Sequence, residues 1–338
     1  MKKLLLFLIA PFVLNQLQAQ DALAKKILTQ TDTPQFRIKK FLHSKATIAD
    51  YITEKWLTLV GDTMLIMKEQ TYSLNNKYKP SPEIYSVSIN DLDFDEISLK
   101  RNKYALTTEE NKSYNLKDYK GFYFEIFIYT KNKKEIVFNK NYLRRNFISL
   151  CFNTYNEANA VLEYLQKKAD KTYEKKLISA MNLIEKNFRT QGAKSLSTFY
   201  MSAKDDFSPA NIPTHVNYIY YFDKKQFRSE QKTNTLKTKN IETRNQSIEI
   251  SKLDFGTVSI FLVDSAYLNQ QAFTSKRKTK LYLLTLDCKE SMPYSVATTY
   301  SASDIQENKD NSNGLSLTFA SSIEAKAARL WLLKQLTK

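Results

Sequence analysis

Two stretches of this 338-residue chain repeat each other, and that duplication constrains the fold more than any other feature. Residues 84–99 read IYSVSINDLDFDEISL and residues 245–260 read NQSIEISKLDFGTVSI. At an offset of 161, Ser86, Ile89, Leu92, Asp93, Phe94 and Ser98 meet identical residues, and Val87, Ile97 and Leu99 meet Ile248, Val258 and Ile260. The same offset pairs Asp62, Glu69 and Gln70 with Asp223, Glu230 and Gln231, so the alignment predicts no gap from 62 to 99.

A second match follows at an offset of 167. Residues 148–165 read ISLCFNTYNEANAVLEYL and 315–332 read LSLTFASSIEAKAARLWL. The six extra residues fall in the polar stretch Ser301–Gly314. Thr154-x-x-Glu157 and Ser321-x-x-Glu324 coincide in this alignment, and both are capping boxes. The hydroxyl takes the N3 amide while the glutamate reaches back to the N-cap amide. Each box follows an alternating strand and opens an amphipathic helix.

Each unit reads as a hairpin, a polar loop, the I-x-x-L-D-F strand, further short strands and a closing helix. The first hairpin runs from Trp56 to Val60, turns at Gly61-Asp62 and returns over Met64 to Gln70. The second runs from Val216 to Phe222, turns at Asp223-Lys224 and returns over Gln226 to Gln231. The expected fold class is α+β: two antiparallel β-barrels or sandwiches, each closed by a C-terminal helix. This order, with its leucine-aspartate strand entries (Leu92-Asp93, Leu253-Asp254), resembles the pleckstrin-homology-like (PH/GRAM) superfold over 45–168 and 212–336. The resemblance rests on element order.

From Glu157 to Arg189 there is no glycine or proline, and apolar residues recur in steps of three and four up to Gly192. The closing helix of the first unit therefore continues as a connector. A single helix of this length would span about 50 Å, while Lys167, Lys168 and Lys171 mark the place for a break into two. The organisation read from the sequence is a signal peptide at 1–19, an N-terminal segment at 20–44, a unit at 45–168, a connector and linker at 169–211, and a unit at 212–338.

Only five residues are glycine and two are histidine. No two glycines lie within the six-residue windows that a dinucleotide fingerprint, a phosphate-binding P-loop or a nucleophile elbow requires. His43 and His215 are too far apart in sequence for a helical zinc motif, so no metal or cofactor is expected. Met1-Lys2-Lys3, the apolar run Leu4–Val13 and the Leu17-Gln18-Ala19 ending read as a secretory signal cut after Ala19. This leader resembles those of exported Bacteroidetes proteins. No later window is apolar enough to span a bilayer. Cys151 and Cys288 lie in strand-like runs and read as buried free thiols.

Asp91, Asp93, Asp95 and Glu96 are dense, but only Asp93 recurs, as Asp254, which assigns it to strand entry with local amide bonds. The formal charge of +16 is the richest signal. Lys224, Lys225 and Arg228 surround the second hairpin turn, and Lys276, Arg277 and Lys278 form another cluster. Lys131, Lys133, Lys134, Arg144 and Arg145 stand in the first repeat. The resemblance implies that a basic opening hairpin can bind anionic headgroups, which Asp62-Thr63 would not do. A solvated basic face is the plain alternative. Export argues against nucleic acid as partner. The expected function is a non-catalytic periplasmic or secreted binding or scaffolding protein that contacts an envelope protein, with strand addition at a sheet edge as the physical route. A binder of anionic lipid or acidic glycan through unit two, and a hydrolase without a recognisable motif, are the alternatives.

Overall fold

The structure is a computed structural model. It describes residues 18–30, 32–44, 47–73, 79–103, 122–137, 144–189, 197–204, 211–223, 226–235, 240–263, 273–275, 281–301 and 304–336. The chain divides into two compact units, one within 12–174 and one within 175–338. Most described residues lie in strands.

The first unit opens with helix α1, residues 18–29, which buries Ala24, Ile27 and Leu28. Strands β1 (Phe36–Ser44), β2 (Thr47–Val60), β3 (Met64–Ser73) and β4 (Glu83–Ser88) form an antiparallel sheet in that order. Gly61 supplies the left-handed φ of +59° at the β2–β3 turn. A 3-10 turn, Ile89–Asp91, then leads into β5 (Leu92–Lys103), which pairs with β6 (Phe122–Thr130), and β6 pairs with β9 (Phe147–Phe152). Strands β7 (Ile136–Val137) and β8 (Arg144–Arg145) make a small ribbon. Helix α2 (Tyr155–Ala169) buries Ala158, Val161, Leu162 and Leu165.

The second unit repeats the plan. Most of helix α3 (Tyr173–Arg189) belongs to it, followed by β10 (Ser197–Lys204), β11 (Asn211–Asp223), β12 (Gln226–Thr235) and β13 (Asn240–Glu249). After the 3-10 turn Ile250–Lys252 come β14 (Leu253–Val263), β15 (Phe273–Ser275), β16 (Leu281–Ser301), β17 (Asp304–Phe319) and helix α4 (Ser322–Leu336). Phe188 of α3 packs edge-on against Trp331 of α4 at 4.9 Å and against Phe227 at 5.1 Å. The buried Glu185 carboxylate accepts from the Trp331 indole and from Arg189. Among the described residues no helix is long and apolar enough to cross a membrane.

Two expectations are overturned. The units are not closed barrels, because their antiparallel sheets are open: the first ends on β1 and β4. The chain leaves that sheet after β4 through the 3-10 turn Ile89–Asp91; beyond it the Asp93 side chain accepts from the Asp95 amide at 2.9 Å, and the β5–β6 ladder slips between Asp93 and Ile97. Nor does one long helical connector join the units, because α2 and α3 are separate helices. The Asp170 carboxylate takes the amide and hydroxyl of Thr172 at 2.8 and 2.6 Å, and the Tyr173 amide bonds the Asp170 carbonyl. That turn competes with helix continuation. The Lys167 ammonium holds it from one side, bonding Asp21 of α1 at 2.8 Å and Glu174 at 3.2 Å.

The duplication reappears in the backbone pairing. The ladder from Phe124↔Phe152 to Tyr129↔Phe147 is matched pair for pair by Tyr282↔Phe319 to Asp287↔Gly314. Asp254 repeats the Asp93 turn, accepting from the Gly256 amide at 2.9 Å, and its ladder slips at the same place. The Lys131 ammonium donates to the Asn90 carbonyl at 2.8 Å, and Lys289 donates to Ser251, its counterpart, at 2.8 Å. Both helix caps form: the Glu157 amide bonds Thr154 at 3.2 Å and the Glu324 amide bonds Ser321 at 3.3 Å. The Glu157 carboxylate returns to Thr154, whereas Glu324 returns to the Ala320 amide. The hairpins depart from the gap-free alignment. Leu65 lies opposite Val87 as Phe227 lies opposite Ile248, which is an offset of 162 on that strand. The second turn holds two residues between β11 and β12 where the first holds three.

Candidate functional site

Of the six basic residues singled out in the sequence, Lys224, Lys225, Lys276, Arg277 and Lys278 lie outside the described residues. Arg228 lies on β12, half-buried, between Tyr221 of β11 and Ser247 of β13. Its guanidinium stands 5.7 Å from the Tyr221 ring centre. The two cysteines are free; Cys151 is buried, while Cys288 is half-buried rather than buried as expected. Among the described residues no group of three or more metal-binding side chains gathers.

Two unexpected features appear in the first unit. One is a cluster of ionisable groups where β2, β3 and β4 meet β6 and β9. Lys55 bridges to Glu69 at 3.4 Å and hydrogen-bonds the Cys151 thiol. Glu125 accepts from Asn102 at 2.8 Å and from Ser149, with the Cys151 sulfur 3.8 Å away. A cavity of about 20 Å³, bordered by Gln35, Lys55, Tyr85, Ser149 and Cys151, has room for one water. Burial pushes the Cys151 thiol up to about 11, against the pull of Lys55, and burial likewise pushes Tyr85 up to about 12. Burial works against the Lys55 ammonium, yet Cys151, Glu69, Tyr85 and Glu125 together outweigh it and raise its pKa. At neutral pH the thiol is protonated and the lysine charged. That is the wrong pairing for a thiolate nucleophile.

The other feature is an aromatic face edged with cations. Side chains alternate across a strand, so Phe124, Ile126 and Ile128 of β6 are buried on one face while Glu125, Phe127 and Tyr129 lie on the other, Phe127 half-buried. Phe147 of β9 joins them, 5.9 Å from Phe127 and 6.0 Å from Tyr129 between ring centres. Tyr129 is 37% exposed. The Arg145 guanidinium stands 6.0 Å from the Phe147 ring. Beyond Thr130 the chain turns through Lys131, Asn132, Lys133 and Lys134, all exposed. Asn132 and Lys133 hold left-handed φ values of 55° and 54°, which residues with a side chain rarely adopt. Lys131 is pinned to Asn90, and Lys134 to Asp91 at 3.1 Å.

The second unit serves as an internal control for both features. In matching register, Lys55, Glu69, Tyr85, Glu125 and Cys151 become Tyr218, Gln231, Gln246, Leu283 and Thr318. Phe127, Tyr129 and Phe147 become Thr285, Asp287 and Gly314. The shared fold therefore requires neither the ionisable cluster nor the outward aromatics. The cluster is internally satisfied and its cavity is tiny, so it reads as the first unit's polar core. On the aromatic face Tyr129 is exposed, while Phe127 and Phe147 are half-buried. Residue type alone did not reveal it, because both faces of FYFEIFIYT are aromatic or apolar.

No family model matches this chain, and no curated protein or solved structure matches it.

Proposed function

We propose that the chain is an exported, non-catalytic binding protein whose first unit carries the binding surface. The observation that carries this reading is the aromatic trio Phe127, Tyr129 and Phe147, with Tyr129 exposed, present in one repeat and replaced in the other by residues that serve the same strands. An exposed aromatic side chain beside further apolar surface and rimmed by charged groups, as Tyr129 is, is what interaction sites present. The protonated Cys151 thiol, held beside a charged lysine, supports binding over nucleophilic chemistry. The basic start and the short apolar run of residues 1–19 support export. Addition of a partner strand is less favoured at the edge of β2. There, beyond the end of its pairing with β1, the Gln35 side chain already bonds the Leu57 backbone.

The test is capture of an envelope component by immobilised protein, with Phe127→Thr/Tyr129→Asp as the comparison. These substitutions install the second unit's own residues at those positions, so the fold should tolerate them. Capture that the double variant loses supports the reading, and capture that both proteins share equally contradicts it.

A further inference from the structure

We propose that the outer face of β2, β3 and β4 docks an amphipathic helix of a partner protein, one that carries an acid among its apolar residues. This goes beyond the aromatic trio: it is a second surface on the first unit, with its own test. Directly paired residues share a face of a sheet, so Trp56, Lys68 and Ile84 form one row and Val60 and Met64 another, with Ile66 between them. The opposite face buries Leu57, Leu65 and Tyr85. On the outer face Val60 is 50% exposed, Ile84 40% and Met64 38%, while Trp56 and Ile66 are half-buried. In matching register the second unit has Asp223, Asn245, Gln226, Ile219 and Arg228 at these five positions. The shared fold therefore does not require an apolar outer face, and contiguous exposed apolar surface marks a place of contact.

Geometry and charge choose the occupant. A sheet face offers side chains and no backbone groups. Whatever lies on it must satisfy its own backbone, as a helix does and a lone extended peptide does not. Three strands at about 4.8 Å spacing make a band about 10 Å across, the diameter of one helix. Lys68 stands half-buried on this band between Trp56 and Ile84, and among the described residues no ion pair or hydrogen bond holds its ammonium. The rows contain no acid, so the partner supplies the carboxylate that complements this cation. A second copy stacked face to face would bring a second Lys68 and no acid. An anionic bilayer would meet the Asp62 carboxylate, which stays 76% exposed at the hairpin turn beside its Lys168 partner.

The experiment titrates the full chain with two synthetic peptides of about 15 residues, long enough to hold a helix. Both carry a leucine stripe at helical spacing; one has a glutamate within the stripe and the other a lysine. Trp56 reports binding, since the chain has two tryptophans and Trp331 is fully buried. The glutamate peptide should shift the emission to the blue, shield Trp56 from acrylamide and bind about tenfold more tightly than the lysine peptide. That order is read on the unsubstituted protein and needs no variant. Lys68→Glu, which installs the second unit's Glu230, should reverse it. Val60→Asp/Met64→Gln should weaken the glutamate peptide about tenfold or more. Phe127→Thr/Tyr129→Asp should leave its binding unchanged. Equal binding of both peptides, binding of neither, an order that ignores Lys68→Glu, or loss in Phe127→Thr/Tyr129→Asp overturns the proposal. So does tighter binding of phosphatidylglycerol vesicles, or a dimer in sedimentation that Val60→Asp/Met64→Gln dissolves. Envelope capture lost in Phe127→Thr/Tyr129→Asp, with neither peptide bound, overturns this surface and leaves the binding reading intact.

Discussion

The Gln35 side chain takes the place of a strand beside Leu57: its amide oxygen accepts from the Leu57 N–H at 2.7 Å and its amide nitrogen donates to the Leu57 carbonyl at 2.8 Å. Strand β1 stops pairing at Phe36↔Lys55 while β2 continues to Val60, so Gln35 extends the ladder by one step with a side chain. The same nitrogen reaches the Ile27 carbonyl at 3.1 Å and the Gln30 carbonyl at 2.7 Å, which ties the end of α1 to the sheet. Gln35→Ala should therefore destabilise the first unit by about 1–3 kcal/mol, the cost of leaving partly buried backbone groups unmet. Urea unfolding measures it. A change below about 0.5 kcal/mol would show the clamp to be incidental.

The caps test the duplication energetically. Thr154→Ala and Ser321→Ala each remove the hydroxyl that receives the N3 amide, at aligned positions of α2 and α4. Each should cost about 1 kcal/mol. Thermal melts of the two variants should shift alike, and a shift in only one would mean the aligned caps do different work.

Trp331 and Glu185 form the hydrogen bond at the centre of the second unit's core, and the Glu185 side chain is only 6% exposed. Trp331→Phe leaves that carboxylate with Arg189 alone and opens space beside Phe188 and Phe222. A loss of about 2–4 kcal/mol is expected from the broken charge-assisted bond and the cavity. Denaturant unfolding measures the loss, and Trp331→Phe/Glu185→Gln should recover part of it if the stranded charge is the cause.

The thiols give a pH signature. Burial raises Cys151 from the ordinary 9.0 to about 11, and it also raises Cys288. A folded-state pKa above the unfolded one means the folded chain holds more protons between the two values. The stabilising contribution is thus complete below pH 9 and is lost as pH climbs towards 11. Alkylation of Cys151 followed by mass spectrometry should show a midpoint near pH 11, with Cys288 labelled first because it is less buried. A Cys151 midpoint at or below 9 contradicts the described cluster.

Local chemistry made part of this legible from sequence. The Thr154–Glu157 capping box, the hydroxyl half of the Ser321–Glu324 box and the Asp93 and Asp254 turns involve residues within three positions of each other, and they form as the spacing requires. The break after α2 was marked by its lysines, but the residue that makes it is Asp170, whose side chain competes for Thr172. Sheet closure was not legible, because it depends on whether distant edges meet. The hairpin offset failed since a shortened turn moves Phe227 into the Leu65 position and Gln231 into that of Glu69, one step from the polar identities that had aligned. The aromatic face stayed hidden for a related reason. Aligning β6 with β16 takes an offset of 158, three short of the 161 that holds through β5 and β14, and few identities mark the slip. The ladders fix it, Asp93 pairing with Tyr129 as Asp254 pairs with Asp287, and so do the bonds of Lys131 to Asn90 and of Lys289 to Ser251.

The most direct measurement of the central claim uses a photoreactive benzoylphenylalanine, placed in separate proteins at Tyr129 and at its counterpart Asp287. Both positions sit at the same point of the same ladder, paired with Phe147 and Gly314. Irradiation in the presence of envelope material should give crosslinked product from position 129 and none from position 287. Equal crosslinking at both, or crosslinking at 287 alone, would contradict a binding surface confined to the first unit.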